Sequence, residues 1–113
     1  MPQPTVLVIG SGFAGLSAAS FLAKAGYTVT VLEKTSGPGG RASQLKDQGY
    51  VFDRGPSFYW MPEVFDSYFG EFGKKVSDYY KLTRLDPSYR VYWKDGFTDM
   101  PADYAALQKV FEE

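Results

Sequence analysis

Hydrophobic and polar positions divide the first fifty residues into a short, regular series. Thr5–Ile9 is a β-branched apolar run closed by Gly10, the pattern of a strand buried on both faces. From Phe13 to Ala25 the residues favour helix, and Ala14, Ala18, Phe21, Leu22 and Ala25 recur at helical spacing as one expected buried stripe. Gly26 is the expected helix stop, and Tyr27–Leu32 reads as a second strand. Strand, tight glycine turn, helix and strand make a βαβ unit whose strands should be parallel and adjacent.

Beyond Gly37-Pro38-Gly39-Gly40, a loop that can continue neither helix nor strand, the pattern changes. Tyr50–Asp53 is expected as a short strand, and Arg54–Ser57 turns. Pro62 suits a first helical turn, with Val64, Phe65, Tyr68, Phe69 and Phe72 as an apolar stripe ended by Gly73. Leu82–Leu85 and Tyr89–Trp93 read as strands, Asp95-Gly96 as a turn. Pro101 opens a last helix, with Tyr104, Leu107 and Phe111 on one face and the helix still in progress at Glu113. The fold class is therefore α/β: a Rossmann-like dinucleotide-binding βαβ unit, incomplete, over residues 1–49, then an aromatic-rich α+β segment over 50–113.

Composition sharpens this division. Of 20 aromatic residues, 17 lie in 50–113. The sequence has neither Cys nor His, which excludes an ordinary N/S zinc site, a Ser-His-Asp triad and a thiol nucleophile. Chemistry would rest on a bound cofactor or on carboxylates, Lys, Arg and Tyr. Net charge is −1 over the 113 residues, so no basic field draws in nucleic acid. No run approaches the roughly 20 apolar residues of a membrane span, and the N-terminus has no positive segment of a secretory signal. The expectation is a cytoplasmic protein, compatible with attachment at a membrane surface.

Gly10-Ser11-Gly12-Phe13-Ala14-Gly15 is a GxGxxG pattern between an expected strand and an expected helix, the context that gives the pattern meaning. Gly10 permits the sharp turn, Gly12 lets a pyrophosphate approach the backbone, and Gly15 lets helix and strands pack closely. The helix N-terminus then offers N–H groups and a positive dipole end to phosphate. Glu33 ends the second strand, where a carboxylate can accept from both hydroxyls of an adenosine ribose. It would repel a 2′-phosphate, an argument against NADP that Lys34 beside it slightly weakens. Gly39-Gly40-Arg41-Ala42 could bring backbone N–H groups and a bidentate guanidinium to a second stretch of cofactor, or be a surface turn. In Asp53-Arg54-Gly55-Pro56-Ser57 the rigid turn could approach a flat ring or be structural. Phe58-Tyr59-Trp60 fits core more readily than the lining of an apolar tunnel.

Together these motifs resemble the N-terminal segment of FAD-dependent oxidoreductases of the amine oxidase and phytoene desaturase superfamily. Val-Ile-Gly-Ser-Gly-Phe-Ala-Gly-Leu-Ser-Ala-Ala, Val-Leu-Glu-Lys and Gly-Gly-Arg-Ala carry the likeness over residues 8–42. Phe52–Ser57 with Tyr59-Trp60-Met61-Pro62 looks like bacterial-type phytoene desaturases. The resemblance implies FAD as cofactor. Gly10, Ser11, Gly12, Ala14 and Gly15 would lie at the pyrophosphate, and Glu33, flanked by Lys34, at the ribose. Gly40, Arg41 and Ala42 would lie at the diphosphate and ribityl region, and Gly55, Pro56 and Ser57 near the isoalloxazine. It implies a long apolar polyene as substrate and a quinone or oxygen as electron acceptor, and assigns no catalytic acid or base within these residues. Amine, porphyrinogen or retinoid chemistry, or an inactive nucleotide-binding fragment, are the alternatives; a plain NAD domain does not need the Gly-Gly-Arg loop. Family members are much longer, so a fragment with exposed apolar area and poor solubility in isolation is expected.

Overall fold

A computed structural model describes residues 3–112. Met1 and Pro2, part of the expected first domain, and Glu113, where the last helix is expected to continue, lie outside the described residues. The chain forms two compact units, Met1–Trp60 and Met61–Glu113. The division comes later than the change in composition at 49–50, because Tyr50–Asp53 pairs back onto the segment before it.

In the first unit, β1 (Thr5–Ile9), α1 (Phe13–Lys24) and β2 (Thr28–Leu32) form the βαβ element. The strands are parallel, in register from Thr5 opposite Thr28 to Ile9 opposite Leu32. Helix α1 ends in a Schellman motif: Gly26, at φ 91°, donates to the Ala23 carbonyl at 3.0 Å and Tyr27 to that of Leu22 at 3.1 Å. The side of α1 that faces the sheet differs from the expected stripe. Gly15, Ala19 and Leu22 are turned inward, while Ala14, Ala18, Phe21 and Ala25 are exposed. The helix is apolar nearly all round, so periodicity does not select a side; the close approach of Gly15 to Gly10 and Val8 does. β1 is likewise covered on one face only. Val6 and Val8 are half-buried, and Leu7 and Ile9 are exposed, because among the described residues a single helix packs on this two-stranded sheet.

A hairpin completes the unit: β3 (Gln44–Asp47) antiparallel to β4 (Tyr50–Asp53). β4 matches its expected bounds. β3 has no β-branched residue, so it carried no strand signal; it forms because Gln48 and Gly49, at φ 48° and 86°, make a two-residue turn of the primed kind that returns β4 onto it.

The second unit holds α2 (Pro62–Glu71), the hairpin β5 (Tyr89–Trp93) with β6 (Gly96–Met100), and α3 (Tyr104–Glu112). α2 starts at Pro62 as expected and ends in a second Schellman motif at Gly73, φ 67°. Phe65, Tyr68, Phe69 and Phe72 turn inward, and Phe69 stacks on Tyr79 with centroids 4.9 Å apart; Val64, placed on the same stripe by periodicity, is exposed. Leu82–Leu85 is not a strand. The partner of β5 is β6, which Gly-Phe-Thr-Asp-Met did not announce, and the hairpin is held by Arg90 paired with Asp99 at 2.6 and 2.8 Å. α3 begins at Tyr104 rather than Pro101, since Asp103 caps it by accepting from Ala106 N–H at 2.9 Å. Its inward positions are Ala106, Leu107 and Val110; Tyr104 and Phe111 face out.

Candidate dinucleotide site

The site grows from the turn between β1 and α1. Gly10 leaves the strand at φ 97°, and its N–H donates to the Leu32 carbonyl at 2.7 Å, extending the parallel ladder by one step. A Cβ at Gly15 would overlap the Gly10 carbonyl oxygen, so this glycine is required by packing between helix and strand. Gly12 differs from both. It is extended, at φ −74° and ψ 179°, and a Cβ there would meet no protein atom within 4 Å. Neither backbone conformation nor packing within the described residues demands a glycine at position 12. The space its missing side chain leaves is available to a ligand, as the expected approach of a pyrophosphate requires. No side chain caps α1 among the described residues, and its first turn carries no acid, which leaves the dipole end open to an anion.

The Gly-Gly-Arg segment docks directly on this turn. Gly39, at φ 112°, donates to the Ser11 carbonyl at 2.8 Å, and a Cβ on Gly40 would stand 3.3 Å from the Gly12 Cα. Gly55 then lies against the next step of the same loop, where a Cβ would overlap the Arg41 carbonyl oxygen. Three glycine-bearing segments far apart in sequence are thus layered, each contact permitted by a missing side chain.

Two adjoining open cavities follow these layers. One, of about 870 Å³, is lined by Gly12, Ala14, Gly15, Ala42, Gly55 and Pro56, among others. The other, of about 700 Å³, is lined by Ser11, Glu33, Lys34, Thr35, Gly40 and Ser43, among others. Ile9, Gly10, Gly12, Arg41 and Arg54 border both. Among the described residues no carboxylate pairs with Arg41 or Arg54, so two guanidinium charges stand unneutralised beside the helix N-terminus.

Glu33 sits at the end of β2 with all four acceptor positions engaged. Oε2 accepts from the Ser11 N–H at 2.8 Å and the Ser11 hydroxyl at 2.7 Å; Oε1 accepts from the Thr35 N–H and hydroxyl, each at 2.9 Å. The Ser11 hydroxyl, then the Ser11 N–H and the Thr35 donors, stabilise the carboxylate and hold it down at about 2. The acid expected to meet a ribose therefore also ties the glycine turn to the end of β2.

Every residue expected at the cofactor lines one or both cavities except Ser57. Arg54, Thr35 and Ser43 join the site without having been singled out. Arg54 belongs to the Asp53–Ser57 turn, but only the docking of Gly55 under Arg41 shows where it sits. Phe58 and Trp60 are exposed, and with Tyr59 they line none of these cavities; they form no core among the described residues. The second unit carries a wider depression of about 1020 Å³ beside Lys74, Lys75, Tyr80 and Lys81, which none of the sequence motifs enters.

A parallel βαβ element with a glycine turn at an uncapped helix N-terminus, and an acid closing the second strand, defines a Rossmann-like dinucleotide-binding fold. The sequence profile of the NAD(P)-binding Rossmann-like domain family matches residues 8–72, and the chain belongs to that family. A dinucleotide is accordingly its class of cofactor. Among curated relatives, a carotenoid 3,4-desaturase of Haloarcula japonica is 51% identical over 96% of this chain and 22% of its own length. A zeta-carotene-forming phytoene desaturase of Myxococcus xanthus is 47% identical over 80% of the chain and 17% of its own. A 4,4'-diapophytoene desaturase of Staphylococcus aureus is 42% identical over 95% and 22%. The chain thus spans about a fifth of the length of these relatives. A Pyrococcus furiosus protein of known crystal structure shares the fold at a TM-score of 0.60 and 27% identity, over 84% of this chain and 24% of its own. An oxidoreductase from Methanosarcina mazei does so at 0.58 and 23%, over 96% and 29%. No helix among the described residues is long and apolar enough to cross a membrane.

Proposed function

We propose that this chain supplies the FAD-binding part of a carotenoid desaturase, an oxidoreductase that removes hydrogen from a long polyene. The carrying observation is the docking of Gly39 and Gly40 on Ser11 and Gly12. It lengthens the site beyond what a single βαβ turn needs and supports a cofactor with a second extended half. The substrate class rests on the desaturases to which most of the chain is similar.

In this reading Gly12 and the α1 N-terminus hold the pyrophosphate, with Arg41 and Arg54 countering its charge. Glu33 holds the adenosine ribose, and Gly55 and Pro56 offer flat backbone to the ring system. When bound, the flavin supplies a two-electron acceptor for a hydride from one carbon while a proton leaves its neighbour. This chain's part is binding and orientation; no acid or base is assigned within it. The polyene is apolar enough to reside in lipid, so the enzyme would work at a cytoplasmic membrane surface and pass electrons to a quinone or oxygen.

The test is a protein containing this chain at the length of its relatives. Copurified FAD and conversion of phytoene to more conjugated products are expected; a protein that purifies without flavin and leaves phytoene unchanged refutes the proposal. Titrating the 113-residue chain with FAD and NAD tests the cofactor separately, with tighter binding of FAD expected.

A further inference from the structure

The two oxygens of Glu33 are held unequally. Oε2 is bound by Ser11, which borders the cavity but is only 5% exposed, so that pair of donors is the more shielded from a ligand. Oε1 is bound by Thr35, which is exposed and borders the cavity. The Thr35 hydroxyl also lies 3.0 Å from the carbonyl oxygen of Gly37. A hydroxyl carries one proton, so it serves Glu33 or Gly37, not both in full.

We propose that Thr35 determines how readily this site takes a ribose with free hydroxyls. Its hydroxyl holds Oε1 in the free chain and turns to the Gly37 carbonyl when a ligand hydroxyl takes its position. The proposal rests on the reading of Glu33 as the ribose acceptor. The exchange leaves no donor unpaired, because the second acceptor is already in place. It moves Thr35 from a charged acceptor to a neutral one, and hydrogen bonds to charged groups are the stronger. Thr35 therefore opposes ribose binding slightly, while its N–H keeps the carboxylate aimed. Removing only the hydroxyl should weaken the free state more than the bound state. Because the group is exposed, water replaces part of the loss and the effect is small.

Isothermal titration of the 113-residue chain with adenosine diphosphate and with its 2′,3′-dideoxy counterpart tests this in four proteins. Thr35→Val, which keeps the β-branched shape, should bind adenosine diphosphate about two- to fivefold more tightly than the original. Its affinity for the dideoxy compound should be unchanged. Thr35→Ser should restore the original ratio. Glu33→Gln should lose the preference for the diol. A Thr35→Val chain that binds both compounds more weakly, or shows the original ratio, overturns the proposal and leaves the ribose reading standing. A Glu33→Gln chain that keeps the full diol preference, or an original chain that binds neither compound, overturns that reading and the proposal with it.

Discussion

The glycines at 12 and 15 belong to one motif, but the structure gives them opposite consequences. In Gly15→Ala the new methyl would overlap the Gly10 carbonyl oxygen, a backbone atom held in turn by the Gly10 N–H bond to Leu32. α1 must move off the sheet, and overpacking of this kind costs about 1–3 kcal/mol. In a domain of about 60–100 residues each kcal/mol lowers Tm by about 4–8 °C. In Gly12→Ala the methyl meets no protein atom, and φ −74° suits any residue. Replacing glycine where alanine fits without strain stabilises by about 0.4–1 kcal/mol, through the unfolded chain. That same methyl occupies the space through which a pyrophosphate would approach, and about tenfold or greater loss of FAD affinity corresponds to 1.4 kcal/mol or more. Thermal melts and FAD titrations of the two variants therefore should separate: Gly15→Ala loses Tm, whereas Gly12→Ala keeps or gains Tm and loses binding. A Gly12→Ala chain that melts as low as Gly15→Ala, or binds FAD as well as the original, refutes the argument.

Further outcomes follow from the same contacts. The carboxyl of Glu33 is depressed from 4.5 to about 2 on folding, so its stabilising contribution is complete above pH 4.5 and is lost as pH falls through about 2. The urea midpoint of the original chain should exceed that of Glu33→Gln at pH 6, and the gap should close across that window. Arg41→Gln and Arg54→Gln should each weaken FAD binding about three- to tenfold, and raising salt should shrink the difference, as titrations at two ionic strengths would show. Asp103→Ala removes the cap of α3 and should lower stability by about 1 kcal/mol, read as faster amide exchange at Ala106 and a lower urea midpoint.

Much of the site could be read in the sequence because its logic is local. A β-branched run, a glycine turn and an acid at the next strand end lie within thirty or so residues, and helix and strand geometry fix their relation. Gly10 at positive φ, Gly26 and Gly73 as helix stops, and Pro62 at a helix start are likewise backbone requirements that a single residue type announces. Facing and pairing were not legible in this way. The buried side of α1 cannot be read from its periodicity, because a helix apolar nearly all round carries no directional signal and only the Gly15–Gly10 contact selects one. Leu82–Leu85 has a strand's composition but no partner, whereas Gln44–Asp47 and Gly96–Met100 have weak strand composition and pair through their turns.

The sequence alone determined that this protein has a dinucleotide-binding βαβ element and where its first glycine turn, strand-end acid and second glycine loop lie. Only the tertiary structure decided that the three glycine segments stack on one another, that Arg54 and Thr35 belong to the site, and that Glu33 is already saturated by Ser11 and Thr35. The physical reason is range. Turn and helix preferences act over a few residues, while these contacts join positions fourteen or more apart or depend on which of two acceptors a single hydroxyl proton can reach.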